Sequence, residues 1–93
     1  MYDEPTADPL IARSQQAMIQ FLSTDLDLAF TLLETARIEL RSDPAHSQAA
    51  VANAEVALAR VRSFEGRVRD HEAWETIGAR ANELEAAIKE FQI

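Results

Sequence analysis

His71-Glu72-Ala73-Trp74-Glu75 is the stretch of this chain that comes nearest to a metal-binding pattern. A zincin helix needs two histidines four residues apart on one face, with a glutamate between them as general base. Here Glu75 stands where the second histidine belongs, and no third ligand falls at a matching spacing. His71 therefore reads as a surface residue at a helix start, and His46, just after Pro44, has the same plain reading. Carboxylates recur close together at Asp25/Asp27 and at Glu83, Glu85 and Glu90. A di-iron bundle site would need Glu-x-x-His motifs pointing inward. The chain has none, and its acids fall mainly outside the apolar lines, which assigns them to a solvated face. No Ser-His-Asp signature or Gly-rich phosphate loop occurs, and with no cysteine there is neither a thiol nucleophile nor a thiolate zinc site. These residues imply no catalytic site, no metal site and no cofactor.

Arg60, Arg62, Arg67 and Arg69 are four of the nine basic residues, packed into ten positions and opposed there only by Glu65. They read either as a patch for an anion or an acidic partner, or as helix-end cations that favour the dipole and pair with nearby acids. The second reading is preferred.

The elements that would position these groups are helices. Apolar residues at helical spacing run from Leu10 to Leu40, reset at Asp43-Pro44, and reset again between Val68 and Trp74. The first run, Ile11, Met18, Leu22, Leu26, Ala29, Leu33, Ala36 and Leu40, shares one face. The second is Ala50, Ala54, Ala57, Val61, Phe64 and Val68, and the third is Trp74, Ile77, Ala81, Leu84, Ile88 and Phe91. The pattern predicts an all-α antiparallel three-helix bundle, one domain over residues 1–93, with helices at about 9–42, 45–65 and 70–92 after a flexible lead at 1–8. Asp8-Pro9 is a good helix start, Gly66 a natural helix stop, and Asp70 a cap for the third helix. Thr24 could instead cap a separate helix answered by Asp27, giving four helices with a break near Ser23-Thr24. The preserved phase favours the continuous, overlong first helix.

Composition narrows the function. Seventeen of 93 residues are alanine, so the core is thin, and thin cores often gain stability by self-association. The net charge of −7 argues against nucleic acid, which asks for a basic surface. No run approaches the ~20 apolar residues of a membrane span, so a cytoplasmic protein without membrane contact is expected. The first helix carries a second apolar line at Leu10, Ala17, Phe21, Leu28 and Leu32, roughly 100° from the main face. Leu28 and Leu32 are explained by the broad arc that a helix with two neighbours presents. Leu10, Ile11, Ala17, Met18 and Phe21 extend past the expected reach of the shorter helices and make the candidate interaction surface.

The helix–Asp-Pro–helix layout superficially resembles a tetratricopeptide unit, but that repeat's characteristic positions cannot be registered together. The segment Phe21-Leu22-Ser23-Thr24-Asp25-Leu26-Asp27-Leu28-Ala29-Phe30-Thr31, followed by an Ala-rich helix, resembles small uncharacterised bacterial all-helical proteins. That resemblance implies a helical hairpin core and a bacterial origin, and brings no activity or site residues. The expected function is a small non-catalytic protein–protein interaction module, homodimeric through the N-terminal half of its first helix. The alternative is a monomeric adaptor that docks an amphipathic helix of another protein on the same surface.

Overall fold

In a computed structural model describing residues 9–91, the chain forms a three-helix bundle: α1 Pro9–Glu39, α2 Pro44–Arg62 and α3 His71–Phe91. The lead at residues 1–8, with the Asp8 cap, lies outside the described residues. No described helix is long and apolar enough to cross a membrane.

α1 is continuous for 31 residues, about 46 Å at ~1.5 Å per residue. The break considered at Ser23-Thr24 is absent because Leu22, Leu26, Ala29 and Leu33 keep one phase across it, and all four are buried. α1 stops at Glu39, three residues before the expected Ser42. Leu40 is consequently in the turn and 52% exposed, which removes it from the core to which its spacing assigned it. Asp43 then starts α2, its Oδ1 accepting from the His46 N–H at 3.1 Å while Pro44 takes a first-turn position. Ser47, fully buried, donates from Oγ to the Ala36 carbonyl at 2.8 Å and ties α2 to the last turn of α1.

α2 ends at Arg62, three residues short of the expected Glu65. Turns follow through Arg67, and within them Gly66 holds φ +84, a left-handed conformation that costs a side-chain-bearing residue about 1–2 kcal/mol. Asp70 caps α3 as expected, its Oδ1 accepting from the Ala73 N–H at 3.1 Å.

The helix directions follow from which residues meet. Ala36 meets Ser47, Asp25 meets Arg60, Phe21 meets Phe64 and Gln15 meets Arg67, so α2 runs antiparallel to α1. α3 returns alongside α1, with Asp27 beside Arg80. The core takes Leu22, Leu26, Leu33 and two alanines from α1, Val51, Val61 and three alanines from α2, and Ile77, Ala81, Leu84 and Ile88 from α3. Phe64, Trp74 and Phe91 close its edges half-buried.

Candidate interaction surface

The chemically suggestive residues are distributed over the bundle rather than gathered. His71 pairs with Glu75 at 3.1 Å, both well exposed, as helix neighbours four apart do. His46 Nδ1 bonds Glu39, linking the end of α1 to the start of α2. Glu85 sits between Arg62 and Lys89, and the bond from Arg62 holds its carboxyl below the ordinary glutamate value. Glu83 and Glu90 are exposed. Among the described residues, no three metal-ligating side chains converge.

Hydrogen bonding to Glu39, followed by its charge, raises the His46 pKa above the ordinary histidine value. A raised value in the folded state means the pair is fully present below the ordinary histidine pKa and is lost as pH climbs through the raised one. Titration of the His46 ring by NMR should therefore show a pKa above the ordinary histidine value, and Glu39→Gln should bring it down. An unmoved His46 pKa in that variant would remove Glu39 as the cause.

Asp25 corrects the assignment of the acids to a solvated face. It is 6% exposed in the middle of α1 and held at both oxygens by Arg60, Nε to Oδ2 at 2.8 Å and Nη2 to Oδ1 at 2.9 Å. A buried carboxylate needs such a partner, and the planar guanidinium fits it in two places at once. The signal was present in the spacing, since Asp25 lies three residues after Leu22 and four before Ala29. Asp27, two residues on, does face solvent and accepts from Arg80 Nη2 at 2.6 Å.

The four clustered arginines do not point to one place. Arg60 is committed to Asp25, and Arg62 reaches Asn82 at 3.1 Å and Glu85 at 2.6 Å on α3. Arg67 lies over the Phe64 ring at 5.6 Å. The main chain around it is fastened to α1: the Gln15 amide donates to the Arg67 carbonyl at 3.0 Å, and its oxygen accepts from the Arg69 N–H at 2.7 Å.

Those two bonds also locate the reach of the bundle along α1. The α2–α3 turn meets Gln15, so only the stretch before it extends past that bond, and the overhang is shorter than expected. Met18 is half-buried against the core, while Phe21 rests on Phe64 with ring centroids 6.0 Å apart and stays 46% exposed. Leu10, at 72%, and Ile11, at 44%, lie on the projecting stretch, and Ala17 is exposed. Leu28, which a broad intramolecular arc would cover, is instead 53% exposed because α2 and α3 both pack on the other side of α1; Leu32 is half-buried. The exposed line is therefore longer than its sequence reading: Leu10, Ser14, Ala17, Phe21, Thr24 and Leu28, alternating four and three residues apart with no charge. α2 and the residue after it carry a second uncharged exposed line of smaller side chains at Ala45, Ala49, Ala52, Val56, Ala59 and Ser63. No family model, curated protein or solved structure matches this chain.

Proposed function

We propose that the protein is a small non-catalytic helical module of the cytoplasm that associates with itself through the N-terminal half of α1. One observation carries the reading: the line through Leu10, Ala17 and Phe21 stays exposed and uncharged along a helix whose opposite face is fully used by the core. Apolar side chains aligned on one helix face are what a partner helix buries. Ile11 and Met18 border this line on the side of the core face and complete the contact.

Changes at Met18 or Phe21 would disturb packing within the chain, because both touch other parts of the bundle. Leu10→Glu with Ala17→Glu avoids that, since both positions are exposed. The wild type should show a mass that rises with concentration in sedimentation velocity. The double variant should sediment as a monomer with unchanged helical circular dichroism. A wild type that is monomeric at every concentration would overturn self-association and leave the surface to a helix of another protein.

A further inference from the structure

We propose that two copies pair through α1 in one specific arrangement: antiparallel, about a two-fold axis crossing the helix beside Ile19 and Gln20, with Arg13 of each copy against Asp27 of the other. This rests on the self-association reading above and specifies its geometry.

The exposed line alternates as heptad core positions do, with Leu10, Ala17 and Thr24 at d and Ser14, Phe21 and Leu28 at a. In an antiparallel pair each a position faces a d position of the second copy, and a two-fold axis makes every contact occur twice. One register gives all six a fitting opposite. Leu10 meets Leu28, Ser14 meets Thr24, and Ala17 meets Phe21, so that hydrocarbon faces hydrocarbon, hydroxyl faces hydroxyl and the largest side chain covers the smallest. Moving one copy by a heptad would set Phe21 on Thr24 and Leu10 on Thr35 in one direction, and in the other would leave Thr24 and Leu28 without an opposite among the described residues.

Charge selects the same arrangement independently. The flanking positions just before each a residue are Arg13, Gln20 and Asp27, all exposed. In antiparallel pairs this flank faces its own counterpart, which in this register puts Arg13 against Asp27, Asp27 against Arg13, and Gln20 against Gln20 on the axis. Among the described residues, Arg13 makes no ion pair. Asp27 keeps 70% of its side chain exposed beside Arg80, with Oδ1 engaged. A parallel pair would set Arg13 beside Met18 and Phe21 on Phe21, matching neither charge nor size. The contact spans about 27 Å of helix roughly 10–12 Å wide. That footprint is well under the ~800 Å² per partner of a standard interface, so the dimer should be weak and concentration-dependent.

Nitroxide labels report the register directly, because the chain has no cysteine of its own. Gln20→Cys and Glu34→Cys, both at exposed positions, would be labelled separately. Pulsed dipolar spectroscopy would follow at concentrations where sedimentation shows the dimer. The antiparallel register places the Gln20 labels within about 20 Å of each other and the Glu34 labels about 40 Å apart, at ~1.5 Å per residue from the axis. Short, equal distances at both sites would mean parallel helices, overturning the register while self-association stands. A dimer with the Gln20 labels beyond about 30 Å would place the interface elsewhere, such as the outward line of α2, and overturn the register and the α1 surface together. An unlabelled chain that never dimerises would overturn the self-association reading itself. Arg13→Glu, which sets two acids against each other twice over, should weaken the dimer several-fold at low salt. An unchanged dissociation constant would overturn the pairing of Arg13 with Asp27.

Discussion

Leu84→Ala should lower the unfolding free energy by about 2–5 kcal/mol, the range for truncating a buried leucine. Leu84 has no exposed surface and is among the largest of the fully buried side chains, with Leu22, Leu26 and Val61. Six of the fifteen buried apolar residues are alanines, so few neighbours are large enough to shift into the space it would leave. A domain of this size has only about 5–15 kcal/mol to lose. The variant should therefore unfold at markedly lower urea with its slope unchanged. A loss below about 0.5 kcal/mol would mean that the face of α3 carrying Ile77, Leu84 and Ile88 is not packed inward.

Removing the cation from Asp25 should be the second large effect. In Arg60→Met the carboxylate stays in the groove between α1 and α2 without its two-point partner, the costly way to break such a pair. Asp25→Leu combined with Arg60→Met removes both charges and should recover most of the lost stability, because hydrophobic replacements of buried pairs are often neutral. Arg41→Met, a change at an exposed arginine without an ion pair among the described residues, provides the baseline. Thermal unfolding of the three variants beside the wild type tests this. Equal midpoints for Arg60→Met and Arg41→Met would show that the pair contributes nothing beyond surface chemistry.

Much of the fold was legible because spacing and proline are strong signals. Asp43-Pro44 breaks the helix for a covalent reason, and the three-four spacing of Ile77, Ala81, Leu84 and Ile88 leaves one face to bury. Leu40 was not legible: phase says which way a side chain would point, not whether the last turn persists to hold it there. Leu28 failed differently. The width of an apolar arc shows how many neighbours a helix can accept, and only the placed helices show which part of the arc they leave open. Asp25 lies in phase with Leu22 and Ala29, and grouping it with the acids that fall outside the apolar lines hides this; a bidentate arginine lets its carboxylate sit on the inward side. The candidate surface was thus half readable, through Leu10 and Ala17, while its continuation to Leu28 needed the packed helices.

The antiparallel hairpin of α1 and α2 also sets an order of assembly. Its contacts form a ladder from the Asp43–Pro44 turn outward: Glu39 with His46, Ala36 with Ser47, Asp25 with Arg60, Phe21 with Phe64, and last Gln15 with Arg67 and Arg69. Each rung shortens the loop that the next must close, so the entropy of closure is spread over small steps. The bonds from Arg80 of α3 to Ser23 and Asp27 span more than fifty residues, and those from Arg62 to Asn82 and Glu85 span twenty or more, against seven and eleven for the first two rungs of the hairpin. The hairpin should therefore zip first and quickly, and α3 should dock onto it in a later, slower step. The far end of the ladder, where Gln15 holds the α2–α3 turn, should be the first to exchange its amide hydrogens in the native state.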